Sequence, residues 1–304
     1  MTRGIQFPMF APQTEWVMPD GLKDLTGYKE IAIDLETNDP GLITSGSGSV
    51  VGRGHIAGIA VAVEGWSGYY PIQHENGGNI DKKLVFGWLQ EILNQENTTF
   101  IFHNAMYDVC WLRAAGLIIK GKIVDTMIAA SLVNENRFKF DLNSLAKEYV
   151  GIGKDENVLR IAAKDFGVDP KAEMWRMPAM YVGEYAERDA EVTLKLWQRL
   201  SIELHNEELM DIFNLETKLF PCLVDMRFKG VRVDLEHAAK LKKNLIIRED
   251  KILKNIKDLV GFDIEINAAR SIAKGFDKLK LPYDRTEKSN EPSFTKNFLQ
   301  NHPH

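Results

Sequence analysis

The sequence contains only two cysteines, Cys110 and Cys222, among its 304 residues. This low count argues against a small secreted protein held by disulfides and favours a reducing compartment. No run of 18 consecutive apolar residues is present, so we predict no membrane-spanning helix and no membrane partner. The first residues lack the apolar core and small-residue cleavage site of an export signal. We therefore expect a cytoplasmic protein.

Several common catalytic motifs are also missing. The Gly- and Ser-rich segment 37–54, predicted to be a long loop, lacks the Gly-Lys-Ser/Thr ending of a phosphate-binding loop. There is no Gly-x-Ser-x-Gly or Cys-x-x-Cys, and the seven histidines show no metal-ligand spacing. These absences leave carboxylates as the main candidates for chemistry.

Positive charge is scarce in most of the chain and concentrated near its end. The net charge is −5, but residues 226–304 carry 17 Lys and Arg against 11 Asp and Glu. A basic tail on an acidic body is compatible with nucleic-acid contacts, although Lys-rich helices can also be no more than a solvated surface.

Apolar periodicity predicts an α/β domain followed by helices. Short β-branched and aromatic runs predict strands at IAIDLET, HIAGIAVAV, SGYYPI, TTFIF and KIVD. Helical spacing follows Asp81, Asn104 and Asp125, with Asn104 at a helix N-cap position, and Pro178 is predicted to open a long helix. Strands interleaved with helices over residues 28–200 indicate an α/β sheet domain with a helical tail.

Asp34 and Glu36 lie inside the otherwise apolar strand IAIDLET. Side chains two apart on a strand share a face, so these carboxylates are about 7 Å apart. Like charges this close repel each other, and burial of either is costly without a compensating group. A compensating group is therefore needed if either carboxylate is buried.

Two helices offer further polar pairs with a spacing of one turn. These are Asn104 with Asp108 in HNAMYDVCWL, and Tyr185 with Asp189 in YAERDAEV. If both helices bury their apolar faces, the four acids could converge as oxygen ligands for hard divalent cations. Each pattern has a plainer explanation by itself: an exposed strand face, a helix cap, and a surface helix pair.

The three patterns together resemble the motifs of the DEDD 3′–5′ exonucleases, in the subclass that contains tyrosine. KIVDTMIAASLVNEN and DLNSLAKEYVG are similar to the segments that join the second and third motifs in family-A DNA polymerases, with the phage enzymes fitting best. LETKLFPCLVDMRFKGVRVD is similar to the start of the polymerase domain. The resemblance implies a ribonuclease-H-like α/β fold with a mixed five-stranded sheet flanked by helices, followed by an α-helical, thumb-like segment.

The resemblance also implies site residues and cofactors. Asp34, Glu36 and Asp189 would hold one divalent metal ion, and Asp34 would share a second with Asp108, which acts through water. Tyr185 would orient the attacking water, so the implied catalytic residues are Asp34, Glu36, Asp108, Tyr185 and Asp189. The implied cofactors are two ions of Mg²⁺ or Mn²⁺.

Five further residues are expected to bind DNA. Asn104 and Tyr107 stand where the family grips terminal nucleotides, Thr37 lies beside the first motif, and Leu42 is a candidate wedge at the primer end. Lys139, or its neighbour Arg137, could contact a phosphate.

The resemblance divides the chain into a 3′–5′ exonuclease domain, residues 1–205, and an incomplete beginning of a polymerase domain, residues 206–304. The palm and fingers are absent, which implies no nucleotide addition by this chain alone. The implied partners are single-stranded DNA 3′ ends, primer-template DNA and the remaining polymerase half, in the same or a separate chain. The implied location is the bacterial host cytoplasm.

Two alternatives remain open from the sequence. One is a ribonuclease-D-like exoribonuclease with the same motifs, although the GVRVD segment and the thumb-like tail speak against it. The other is a non-catalytic DNA-binding subunit of a split polymerase.

Overall fold

A computed structural model describes residues 13–153 and 156–303, and the chain forms two compact units that divide after Gly230. The first unit contains five strands: β1 Glu30–Asn38, β2 His55–Val63, β3 Trp66–Pro71, β4 Thr99–Phe102 and β5 Lys122–Asp125. Its helices are α1 Leu42–Ser45, α2 Gly48–Val51, α3 Lys82–Leu93, α4 Ala105–Ala114, α5 Thr126–Val133, α6 Leu142–Tyr149, α7 Asn157–Phe166, α8 Gly183–Asn206 and α9 Met210–Lys229. Among the described residues, no helix has the length and apolar character needed to cross a bilayer.

The five strands form one mixed sheet in the order β3-β2-β1-β4-β5. β1 pairs antiparallel with β2 and parallel with β4, and β5 extends the parallel side. The predicted mixed five-stranded sheet flanked by helices is therefore confirmed.

The two faces of the sheet carry different side chains. Toward α5, α6 and α8 the sheet presents mostly small residues, among them Ala32, Ala60 and Ala62. The opposite face presents branched side chains such as Ile31, Ile33 and Ile59 toward α3 and α4. Small residues under α8 allow that long helix to lie close to β1, because little side-chain volume separates the two backbones.

Two local predictions differ from the structure. The segment 37–54 was expected to be a loop, but it contains the short helices α1 and α2. Pro178 does not open α8: a 3₁₀ turn, Ala179–Tyr181, comes first, and α8 begins at Gly183. At Gly183 a Cβ would lie 2.0 Å from the Trp16 ring, so the helix start fits only a residue without a side chain.

Helix α9 belongs structurally to the sheet unit. Its Phe220 and Val224 are buried against α4, and burial of side chains this size contributes about 1.5–3 kcal/mol each. The ion pair between Arg113 and Asp225 is largely exposed and adds at most about 1 kcal/mol. The compact units thus divide after Gly230, whereas the boundary predicted from the sequence follows residue 205. The assignment of residues 206–304 to a polymerase domain stays a prediction.

The second unit, from Val231 onward, is mainly helical, as expected for the C-terminal part. It contains α10 Leu235–Val260, α11 Ala269–Lys278, a hairpin of β6 Asp284–Arg285 with β7 Pro292–Ser293, and α12 Lys296–Asn301. Asp234 caps α10 by accepting a hydrogen bond from the His237 N–H (2.9 Å). A small aromatic cluster centred on Phe276 holds α11, the hairpin and α12 together.

Candidate active site

Asp34 and Glu36 lie on the face of β1 that is covered by α8. They alternate with the buried residues Ile33 and Leu35, as the strand period requires. Their cross-strand neighbours on β2 are Ala60 and Gly58, so little side-chain volume crowds the carboxylates from that side. A register shift follows Glu36 and ends the regular pairing at the site.

Asp108 reaches the same strand from the first turn of α4. β4 pairs with β1 only through Ala32, and beyond that point α4 lies beside β1 instead. There the Asp108 Oδ1 accepts a hydrogen bond from the Leu35 N–H (3.1 Å), between the two carboxylate-bearing residues. Asp108 is only 4% exposed, and burial followed by the charge of Asp34 raises its pKa well above the usual range.

Tyr185 and Asp189 approach from α8, one helical turn apart. Burial raises the pKa of Tyr185, and the charges of Asp189, Glu36 and Asp34 raise it further. Tyr185 is therefore close to three of the four acids and stays protonated at neutral pH. The five motif residues, which are distant in sequence, converge from β1, α4 and α8.

The chemistry of this donor set fits hard divalent cations. Four carboxylates supply the oxygen ligands that Mg²⁺ or Mn²⁺ prefers, and a cation would offset the two main causes that raise the pKa of Asp108, its burial and then the charge of Asp34. Within residues 13–153 and 156–303, however, no three acids, histidines or cysteines are already grouped closely enough to hold one ion. The acids thus form a convergent but open cluster.

Asn104 occupies the position before α4 but does not cap it. Its backbone is left-handed (φ 62°), and its side chain makes no capping hydrogen bond. The carboxylate of Asp125 instead accepts the N–H groups of Asn104 (3.0 Å) and Ala105 (2.8 Å), and it also caps α5 through Met127 N–H (2.8 Å). Asp125 therefore fixes the start of α4 and leaves the exposed Asn104 at the edge of the site.

Thr37 and Tyr107 meet at the end of β1. The Tyr107 hydroxyl lies 2.5 Å from the Thr37 Oγ1 and donates to the Asp39 Oδ2 (3.3 Å). Burial is the largest of the influences that raise the pKa of Tyr107 to about 12, so the phenol is neutral and can donate. Two predicted DNA-binding residues thus lie side by side next to Glu36.

The other predicted DNA-binding residues are less closely joined to the acids. Leu42 lies in α1, just beyond β1, with 45% of its surface exposed. Lys139 is exposed between α5 and α6, and in the described contacts its carbonyl accepts from the Arg137 Nε (3.2 Å). Arg137 itself pairs with Glu148. The described contacts of Lys139 and Arg137 do not include the four acids of the site, Asp34, Glu36, Asp108 and Asp189.

Residues missed by the sequence analysis lie beneath the site. A Cβ at Gly58 would be 2.0 Å from the Tyr69 hydroxyl, which places that ring directly beside the position paired with Glu36. Tyr69 is fully buried, and its hydroxyl donates to His74 Nε2 (2.7 Å). His74 Nδ1 in turn donates to the carbonyl of Met177 (2.9 Å). The adjacent aromatics in SGYYPI were the available signal, since one of two consecutive strand residues must face the acids.

A match to a protein-family model over most of the first unit identifies the family. A family model described as 3′–5′ exonuclease matches residues 11–205. The chain belongs to this family. The resemblance stated from the three motifs is thereby confirmed, and the chain carries a 3′–5′ exonuclease domain.

Relatives of this exonuclease are longer polymerases. The chain is 32% identical over 307 residues to a DNA-directed DNA polymerase of Pseudomonas phage M6, covering 97% of this chain and 46% of that protein. It is 27% identical to DNA polymerase I of Pseudomonas aeruginosa, covering 90% of this chain and 29% of the relative. The chain therefore spans less than half the length of these relatives.

Solved structures share the fold. The polymerase domain of Pol1 from M. smegmatis, in complex with DNA primer-template and dNTP, is similar with a TM-score of 0.60 and 16% identity, covering 90% of this chain and 42% of the other. Brucella melitensis NrnC with bound Mg²⁺ is similar with a TM-score of 0.50 and 19% identity, covering 68% and 89%.

Proposed function

We propose that this chain is a two-metal 3′–5′ exonuclease that removes terminal nucleotides from DNA and releases 5′-nucleotides, as the proofreading part of a family-A DNA polymerase. The observation that supports this most directly is the convergence of Asp34, Asp108 and Tyr185 from β1, α4 and α8. Membership of the 3′–5′ exonuclease family supports the direction of cleavage.

The carboxylates would hold the ions. Asp34, Glu36 and Asp189 are assigned to one, and Asp34 with Asp108 to the other. When bound, divalent cations at such a site supply positive charge for hydrolysis at phosphorus. Asp108 is already oriented by the Leu35 N–H, so its second oxygen is directed by a backbone contact rather than by a flexible side chain.

Tyr185 acts as a positioning group. Burial and the neighbouring carboxylates raise the pKa of Tyr185, which favours the protonated phenol and argues against a role as the base that removes a proton from water. A neutral phenol held beside Asp189 and Glu36 can instead hold the attacking water by a hydrogen bond. Thr37, Asn104 and Tyr107 would bind the terminal nucleotides at the end of β1, with Leu42 and Lys139 farther out.

The partners follow from the polymerase relatives. We assign single-stranded DNA 3′ ends and primer-template DNA as substrates, and the palm and fingers as the missing half, in the same or a separate chain. Residues 206–304 begin that polymerase domain and have no polymerase activity by themselves. The phage relatives favour the bacterial host cytoplasm as the location.

A second substrate class competes with DNA. NrnC, whose fold is similar over 68% of this chain, has also been solved bound to pGG. The motifs alone do not separate DNA from RNA, so an exoribonuclease is the competing activity. A non-catalytic subunit would bind a strand but leave it intact.

One incubation tests these activities together. The purified chain is mixed with 5′-labelled single-stranded DNA or RNA of the same sequence, with Mg²⁺, Mn²⁺ or EDTA. We expect stepwise shortening of DNA from the 3′ end only with metal, and a much slower reaction on RNA.

Asp34→Ala and Asp189→Ala should each lower the rate more than about 100-fold, since even outer partners of metal sites cost 10- to 100-fold. Asp165→Ala, an exposed acid on α7, is the matched control and should retain full activity. Cleavage that persists in Asp34→Ala, or strand binding without any cleavage, would contradict the proposal.

A further inference from the structure

Trp175 lies beside the carboxylate strand on a tightly fixed piece of backbone. It is the middle residue of a 3₁₀ turn, Met174–Arg176, that packs against β1. Its ring meets the imidazole of His55 edge to face, with centroids 5.7 Å apart. His55 pairs with Asn38, two residues beyond Glu36, so the indole lies near the carboxylate end of β1.

The backbone around Trp175 is held at three consecutive carbonyls. The Trp175 carbonyl accepts the Glu75 N–H (2.9 Å), the Arg176 carbonyl accepts the side-chain amide of Asn76, and the Met177 carbonyl accepts from His74 Nδ1 (2.9 Å). All three donors come from the segment after β3, so the turn is tied to the sheet residue by residue.

A buried cation reinforces this frame. Arg176 is only 7% exposed and forms ion pairs with Glu75 (3.1 Å) and Glu173 (2.9 Å). A fixed guanidinium flanked by two carboxylates restrains the turn on both sides. The backbone position from which the neighbouring indole projects is therefore preset.

The indole nevertheless remains partly exposed. The aromatic side chains of Trp16, Trp88 and Trp197 each donate their Nε1–H to a protein acceptor. Among the hydrogen bonds between described residues, none involves the Nε1 of Trp175. A partly exposed aromatic on a rigid frame loses little conformational entropy when a planar ligand stacks on it.

The surroundings of His55 suit a nucleic-acid strand. Burial is the main cause that lowers the pKa of His55, which favours the neutral ring beside the indole. His55 also lines a cavity of about 240 Å³ together with Arg53 and Lys82. Two cations near an aromatic surface provide phosphate contacts next to a place for a base.

We propose that Trp175 is a stacking platform for one nucleobase of a single strand whose 3′ end lies at the carboxylate site. His55 sets the tilt of the indole, and Arg53 and Lys82 contact the adjoining phosphates. This inference rests on the exonuclease function proposed above and assigns it a subsite that senses a base near the 3′ end without reading its identity.

The test measures the affinity of substituted proteins for intact and abasic DNA strands. A 5′-labelled oligothymidylate of about 10 nucleotides is titrated with the Asp34→Ala chain in EDTA, so that no cleavage occurs, and binding is followed by fluorescence anisotropy. The same chain carrying Trp175→Ala, Trp175→Phe or Trp66→Ala is compared. Trp66, at the opposite end of the β2–β3 hairpin, is the matched control.

We expect Trp175→Ala to weaken binding about 5-fold or more, as is typical when an aromatic side chain that stacks on one base is replaced by alanine, and Trp66→Ala to have no effect. Trp175→Phe keeps a stacking face and should retain most of the affinity. An abasic nucleotide, placed in turn at each of the last positions, should abolish the effect of Trp175→Ala at one position only.

Two results would overturn the inference. Trp175→Ala could bind within about twofold of its parent, or its loss could be the same for every abasic strand, which would indicate a general disturbance rather than stacking. Either result, with intact cleavage by the unsubstituted chain, rejects Trp175 alone. Failure of that chain to cleave or bind any strand would reject the exonuclease proposal as well.

Discussion

The buried His74 should make the sheet unit sensitive to mild acid. Burial is the main cause that lowers the pKa of His74 from 6.5 to about 4. Its Nδ1–H is committed to the Met177 carbonyl and its Nε2 accepts the Tyr69 hydroxyl, so a second proton would break the latter bond. The folded state therefore favours the neutral ring.

The size of the effect follows from linkage. The unfolded chain binds a proton at His74 below pH 6.5, but the folded chain does so only below about pH 4. The contribution is thus fully present above pH 6.5 and is lost as the pH falls toward 4. The free energy of unfolding should fall by about 2 kcal/mol between pH 7 and pH 5, and by about 3 kcal/mol at pH 4.

The chain offers a clean assay. All six tryptophans lie in the first unit, at positions 16, 66, 88, 111, 175 and 197, so tryptophan fluorescence reports the unfolding of that unit alone. Urea unfolding at pH 5 to 8 is compared between the parent and His74→Gln. Glutamine can donate to one neighbour and accept from the other, but it does not titrate.

His74→Gln should show a smaller loss of stability on acidification than the parent, by the amount given above. Subtraction of the two curves removes the contribution of the buried carboxylates, which titrate in both proteins. Parallel curves for the parent and His74→Gln would refute the reasoning.

Two further substitutions test the packing behind the site. Gly58→Ala should lower the free energy of unfolding by about 1–3 kcal/mol and reduce nucleotide release, because its Cβ would lie 2.0 Å from the buried Tyr69 hydroxyl. Gly87→Ala, which has open space around it, is the control. Equal unfolding midpoints for the two variants would contradict the expected clash at Gly58. Asp125→Ala should cost about 3 kcal/mol in urea unfolding, because three backbone N–H groups lose their acceptor, whereas Asp141→Ala should lose only about 1 kcal/mol from an exposed cap. Similar losses for the two aspartates would show that burial at Asp125 does not matter.

The sequence by itself determined the features that repeat with a short period. Alternation along IAIDLET places Asp34 and Glu36 on one face, and a spacing of four places Tyr185 over Asp189. These patterns extend over one strand or one helical turn, so they can be recognised without knowledge of distant contacts. An α/β domain followed by helices could be predicted for the same reason, whereas the mixed five-stranded sheet was implied by the family resemblance.

Tertiary structure decided which partners complete these local patterns. Asn104 stands at a cap position, but the distant Asp125 takes over the capping because β4 and β5 end side by side. Asp108 comes to β1 because β4 pairs with β1 only as far as Ala32 and α4 continues beside the strand. Contacts of this kind depend on where elements end, which local periodicity does not encode.

The residues packed beneath the acids were the hardest to predict from sequence patterns. Tyr69, His74 and Met177 form one hydrogen-bonded chain although Met177 is 103 residues from His74. This series of hydrogen bonds forms only because Gly58 leaves room for the Tyr69 phenol beside the strand. The residue types of the site were thus specified locally, while their burial, and with it the raised pKa values of Asp108 and Tyr185, arose only when the sheet and α8 closed over them.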